Sequence, residues 1–161
     1  MIVLGIDPGK DGAIVGLFAD DGELAIATLT QTCIVGKHYA PAEMVAAIRE
    51  VQEIGPIRLA VLETVSCRPG EGRSSILSMG IGWGLWRGIL AALDIPTTTP
   101  TAGVWTRAIL RDAPGQGKDR AIHVAGARIP NLNLTPGKRS KPHSGLADAG
   151  CLALYGLTEK T

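Results

Sequence analysis

Three carboxylates carry the first chemical signal in this chain of 161 residues. Asp7 ends the apolar run "IVLGID" and is followed at once by Pro8 and Gly9. Glu63 ends a second apolar run, "IRLAVLE", and Asp148 falls in the first turns of the closing segment "HSGLADAGCLALYGL". A carboxylate at the end of a buried strand costs desolvation unless something positive stands against it. Two such strands side by side would bring Asp7 and Glu63 to one sheet edge, where their charges repel and one pKa rises. Bound divalent cations remove that penalty, and hard Mg²⁺ or Mn²⁺ prefers carboxylate oxygens. Asp148 adds a third acid from a helix start, where the helix N-terminus favours negative charge and Ser144 is the expected N-cap. Carboxylates converging from two strands and a helix form a constellation suited to two-metal phosphodiester hydrolysis. One ion activates water there and the other stabilises the leaving oxygen.

The elements that must position these groups can be read from local pattern. "IVLGID", "GAIVGLF" and "ELAIATLT" are strands joined by short turns, which predicts an antiparallel meander. The turn between the first two carries Asp11, expected to be a turn former without a catalytic role. A loop, "QTCIVGKHYA", leads to "PAEMVAAIREVQEIG", a helix with Pro41 at its start and Gly55 at its stop. The strand ending at Glu63 follows, then the loop "SCRPGEGRSS", expected beside the catalytic edge, and a long glycine-rich helix. In that helix Gly80, Gly84 and Gly88 fall on one side, and three costly helix glycines predict close backbone approach to the sheet or to a second subunit. "IPTTTPT" is a short strand running into a helix from about Val104 to Leu110. A loop, a basic helix from Lys118 to about Arg128, a polar connector and an amphipathic last helix complete the chain. The expected order is that of a mixed sheet flanked by helices, with the first strand central and the Glu63 strand beside it.

Bulk properties narrow the class. Hydrophobic content of 45% with 19% charged residues suits one globular domain over residues 1–161. The apolar run from Ile76 to Leu93 is interrupted by four glycines and Arg87, so it reads as a buried helix and not as a membrane span. No signal peptide is visible, and Cys33, Cys67 and Cys151 fit no metal-binding spacing; core thiols of a cytoplasmic protein are expected. Net charge is +1 overall but unevenly spread. Residues 1–100 hold seven Lys/Arg against eleven Asp/Glu, a net of −4, whereas residues 101–142 hold eight Lys/Arg against two Asp, a net of +6. Such asymmetry favours a polyanionic partner on one face. Trp83, Trp86 and Trp105 are expected in the core, and His38 and His123 receive no role.

The stretches "GIDPGKDGAI", "LAVLETV", "GRSSILSMGIGWGLWRGILAALDIP", "TPTAGVWTRAIL", "GKDRAIHVAGARIP" and "HSGLADAGCLALYG" come in that order and span nearly the whole chain. Together they resemble the RuvC-type Holliday junction resolvases of the ribonuclease H-like superfamily, most closely their short phage and bacterial relatives. The resemblance implies an α/β fold, a ribonuclease H-like mixed five-stranded sheet flanked by helices. It further implies a homodimer in the cytoplasm of a bacterial cell or phage-infected host, binding branched DNA and no membrane. Such a dimer nicks four-way junctions in symmetric pairs, with two Mg²⁺ or Mn²⁺ ions per active site.

By position Asp7, Glu63 and Asp148 match three metal ligands of that family. The family supplies another Asp or a His shortly before the last Asp; here Gly145 stands three residues before Asp148 and Ser144 four before it, so no carboxylate is available. His143 is therefore the candidate fourth ligand, or a base acting on the attacking water. Lys118, in "GKDRA", matches a lysine near the scissile phosphate, where it can bind phosphate or stabilise transition-state charge. Arg68, Arg73, Arg107, Arg111, Lys138, Arg139 and Lys141 are expected backbone contacts, setting affinity and salt dependence and not sequence choice.

Two other classes share part of the pattern. An actin-like or sugar-kinase-like ATPase lobe also opens with a strand, an Asp and a glycine turn, but needs two lobes to enclose its nucleotide. A junction-binding protein that has lost cleavage would keep the basic region, yet has no use for three converging carboxylates. Forks and flaps remain open as substrates of a nuclease.

Overall fold

The structure is a computed structural model that describes residues 1–20, 23–29, 34–35, 38–67, 69–129 and 131–159, with the backbone alone for 19–20, 23–29 and 34–35. Cys33 and Arg68 lie outside the described residues. Its strands are β1 (Ile2–Asp7), β2 (Ala13–Asp20), β3 (Glu23–Leu29), β4 (Ile34–Val35), β5 (His38–Tyr39), β6 (Ile57–Leu62) and β7 (Thr97–Thr98). The helices are α1 (Pro41–Ile54), α2 (Arg73–Ala92), α3 (Ala102–Ile109), α4 (Lys118–Arg128) and α5 (Ser144–Thr158).

The main sheet has the order β3-β2-β1-β6-β7. β1 pairs antiparallel with β2 and parallel with β6, which pairs parallel with β7. The expected mixed five-stranded sheet with β1 at its centre is present. A small β4–β5 pairing within the stretch read as a loop is an addition: Ile34 faces Tyr39 and Val35 faces His38. β1 reads as continuous aliphatic sequence because helices cover both sheet faces. Val3 and Val61 belong to the core under α3, α4 and α5; Leu4, Ile6 and Leu62 point to the opposite core under α1 and α2.

α5 departs from the amphipathic expectation. Leu146, Ala147, Ala149, Cys151, Leu152, Ala153 and Leu154 are all buried, because the helix lies between the sheet and α4. Its approach to the sheet is backbone on backbone: a Cβ at Gly5 of β1 would overlap the Ala149 carbonyl and the Ala153 amide. Small residues four apart make that seat, and it presents the neighbouring Asp148 to the sheet edge.

The glycine ridge of α2 also differs from expectation. Among the described residues nothing lies within 4 Å of a Cβ built at Gly80, Gly84 or Gly88. The close approach is at Gly82, where a Cβ would overlap the Tyr39 ring and meet the Pro8 carbonyl oxygen at 2.7 Å. The ridge faces outward beside Leu77 and Ile81, which are 65% and 48% exposed. α2 is thus buried along one side only, and no described helix is long and apolar enough to cross a membrane. Of the described cysteines, Cys67 is exposed and so is no core thiol. Cys151 is buried against the Ala121 carbonyl, and burial pushes its thiol up to about 12, which keeps it protonated and unreactive.

Candidate active site

Strand register brings the first two acids together. β1 and β6 run parallel with Ile6 opposite Leu62, and the Glu63 amide donates to the Ile6 carbonyl at 3.2 Å. Asp7 and Glu63 therefore leave the sheet at the same carboxyl edge, the place where parallel α/β sheets put their ligand crevices. Asp7 is held locally, its Oδ1 accepting from the Gly9 amide at 3.1 Å. The turn is closed by the Gly12 amide donating to the Gly9 carbonyl at 2.9 Å. It is braced from outside by Tyr39, whose hydroxyl donates to the Pro8 carbonyl at 3.1 Å and accepts from Ser78. The approach of α2 at Gly82 is what admits the Tyr39 ring.

Glu63 has a partner that sequence reasoning missed. The indole Nε1–H of Trp105 donates to Glu63 Oε1 at 3.2 Å. Trp105 is 3% exposed, so it is the core residue expected and a positioning residue as well. The available signal was general: a buried indole N–H usually finds an acceptor, and the sequence does not say which.

Asp148 completes the cluster. Burial foremost, then the charges of Asp7 and Glu63, push its carboxyl up to about 7, with Lys118 pulling the other way. Asp7 is also raised, by burial first, against the lowering effects of the Gly9 bond, Lys118 and His143. Lys118 is the first residue of α4, a place where a cation opposes the helix dipole. Its ammonium nevertheless turns inward and donates to Ser144 Oγ at 3.2 Å.

His143, and not Ser144, is the N-cap of α5. Its Nδ1 accepts from the Leu146 amide at 3.3 Å, and the ring is 6% exposed. Burial first, then Arg139, lowers its pKa, so the ring is neutral near pH 7. An imidazole nitrogen that accepts from an amide carries no proton, and the neutral ring then keeps its proton on Nε2. In this geometry His143 is a helix cap; service as ligand or base through Nδ1 requires the cap bond to break first.

A cleft of about 700 Å³ opens beside Asp7 and Lys118, lined also by Lys10, Asp11, Ser78 and Ser144 among others. Glu63 borders an adjoining cavity that Asp7 shares. Among the described residues no three His, Cys, Asp or Glu side chains stand in position to enclose an ion as they are. The donor set still fits a hard cation. Three carboxylates, two of them with raised pKa, crowd a poorly solvated site where Lys118 partly offsets Asp7 and Asp148.

The remaining basic candidates are spread over the surface, with Arg139 near enough to His143 to act on its charge. Arg73 is exposed at the start of α2. Lys138, Arg139 and Lys141 are exposed on the connector before α5, and Arg107 on α3. Arg111 lines a separate groove of about 290 Å³ with His123 and Arg128.

No protein-family model matches the sequence, and no curated protein does. Solved structures do match. T. thermophilus RuvC in complex with a Holliday junction substrate aligns at a TM-score of 0.65, covering 96% of this chain and 92% of that one at 15% identity. T. thermophilus RuvC by itself gives the same score and coverage at 16% identity. The chain has the RuvC fold. The yeast mitochondrial Holliday junction resolvase Ydc2 shares the RuvC fold with a TM-score of 0.60 at 13% identity, over 95% of this chain and 76% of its own. The likeness read from the ordered motifs thus agrees with the three-dimensional architecture. At such identities the RuvC fold establishes architecture, and the chemistry has to be argued from the site.

Proposed function

We propose that this protein is a metal-dependent endonuclease that resolves four-way DNA junctions by paired, symmetric nicks. The observation that carries the reading is the crowding of Asp7, Glu63 and Asp148 at the carboxyl edge of β1 and β6, with Lys118 as their cationic neighbour. Asp7, Glu63 and Asp148 would hold the cations. Bound Mg²⁺ or Mn²⁺ supplies an activated water and stabilises the leaving oxygen.

The chain's own residues divide the other work. Lys118 binds the phosphate and offsets charge that builds on it. His143 keeps α5 seated and donates from Nε2 toward phosphate oxygen. Trp105 aims Glu63. Trp105→Phe keeps the ring in the core and removes only that N–H, so a loss of metal affinity and nicking rate of about tenfold is expected. Titrating metal into both proteins checks this; equal affinities would reduce Trp105 to packing. Arg73, Arg107, Arg111, Lys138, Arg139 and Lys141, together with Arg68, supply phosphate contacts along the arms.

Two active sites are needed for paired nicks, and a homodimer supplies them. Support comes from the outward face of α2, where Leu77, Ile81 and the three glycines form a smooth apolar strip. Ile81→Asp is expected to give monomers in sedimentation that stay folded by circular dichroism, since that side chain is already half out in the single chain. A variant that stays dimeric would place the interface elsewhere.

The reading is tested with a labelled immobile four-way junction, incubated with and without Mg²⁺ beside linear duplex, fork and flap. Metal-dependent nicks confined to the junction are expected. Equal cleavage of forks and flaps would keep the chemistry and remove the junction preference. Tight binding without cleavage in either metal would make the protein a junction-binding module.

A further inference from the structure

The turn between β1 and β2 sits directly on the first turn of α5. A Cβ at Gly145 would overlap the Asp11 carbonyl and lie 3.0 Å from the Gly12 Cα. A Cβ at Gly12 would overlap the Asp7 carbonyl and lie 2.6 Å from the Gly9 carbonyl oxygen. Neither position tolerates a side chain. Gly145 is three residues before Asp148 and so lies on the same side of α5. The place from which α5 would send a second group into the site is therefore filled by the backbone of the turn.

What the turn carries at that place is Asp11. Its side chain is exposed and lines the same cleft as Asp7, Lys118 and Ser144. Its charge is felt at both Asp7 and His143, one on each side of the turn's contact with α5. The backbone of Asp11 makes the contact with α5, which leaves the carboxylate free to turn into the cleft. Hard cations take six or more oxygen donors, so a fourth carboxylate at the rim has vacant positions to fill.

We propose that Asp11 is a fourth carboxylate ligand of the metal centre, delivered by the β1–β2 turn onto the glycine step of α5. The assignment rests on the reading of Asp7, Glu63 and Asp148 as metal ligands. It replaces the expectation that Asp11 only shapes its turn, and the two roles separate cleanly. Asn forms the same turns as Asp but gives up the anionic oxygen.

Mn²⁺ binding to metal-stripped protein, followed by calorimetry and by the electron-spin signal of free Mn²⁺, tests it without any DNA. Wild type, Asp11→Asn, Asp7→Asn and the exposed α1 control Glu50→Gln are compared, each with its thermal unfolding as a check on folding. Asp11→Asn is expected to weaken Mn²⁺ binding by about tenfold or more with unfolding like wild type, and Glu50→Gln to change neither. If Asp11→Asn binds within about twofold of wild type while Asp7→Asn loses the ion, the Asp11 assignment is overturned and the three-carboxylate site stands. If wild type takes up no Mn²⁺, the assignment and the reading beneath it fall together.

Discussion

Asp7→Asn is expected to abolish nicking while junction binding stays close to wild type. The substitution is nearly isosteric, and its amide oxygen can still accept the Gly9 N–H that holds the turn. The polypeptide therefore has little reason to move. What is lost is an anionic donor of the carboxylate cluster. Lewis-acid stabilisation by a bound ion is worth several kcal/mol, and at about 1.4 kcal/mol per tenfold its loss slows the reaction on the order of a thousandfold or more. Binding is carried mainly by Lys and Arg contacts to phosphates, so an electrophoretic titration of an intact junction should shift little. Nicking by the variant at wild-type rates in ordinary Mg²⁺ would remove Asp7 from the metal site.

The second large effect is on stability without metal. The Asp148 carboxyl titrates near 3.8 in an unfolded chain and at about 7 in the fold. A raised carboxyl contributes its stability in full below the unfolded value and loses it as pH rises through the folded one. Between about 4 and about 7 the unfolded chain releases this proton while the folded protein keeps it, so stability falls across that window. At about 1.4 kcal/mol per unit the fall approaches roughly 4 kcal/mol. Asp7, raised in the same sense, steepens it. His143, lowered from 6.5, acts in the opposite direction, losing stability as pH falls below that value.

The difference between wild type and Asp148→Asn isolates the Asp148 contribution. In EDTA the variant should be the more stable protein at about pH 8 and the two should converge near pH 4. Mg²⁺ or Mn²⁺ should rescue wild type alone, because a bound cation takes the place of the proton. Urea unfolding across this range decides it, and parallel curves for the two proteins would show that Asp148 ionises as an ordinary surface acid.

Much of this geometry was legible in the chain because it depends on local periodicity. Two apolar runs ending in Asp7 and Glu63 give two strand ends, and parallel pairing of their strands leaves both acids at one edge. Lys118 to Arg128 is bounded by glycine and proline-containing connectors, and the helix has those limits. What escaped was set by tertiary contact. The Trp105–Glu63 hydrogen bond joins residues 42 positions apart, which no local pattern encodes. Ser144 is the better cap by type, yet its hydroxyl serves Lys118, and the imidazole one residue earlier takes the Leu146 amide. The glycines of α2 were visible as a ridge, but only the placement of Tyr39 shows that Gly82 makes the close approach and that the ridge looks outward. α5 was read as amphipathic because its small residues look neutral, although Ala and Gly are what allow a helix to be buried on two sides.

The most direct test of the central claim is digestion of a supercoiled plasmid that extrudes a single cruciform, with Mg²⁺ and with EDTA. Paired nicks across a junction convert the circle to a linear molecule with ends at the cruciform, and this is the result expected with Mg²⁺ alone. Open circles without linear product would mean unpaired nicking. An intact supercoil, in protein shown to bind the junction, would contradict catalysis by Asp7, Glu63 and Asp148 altogether.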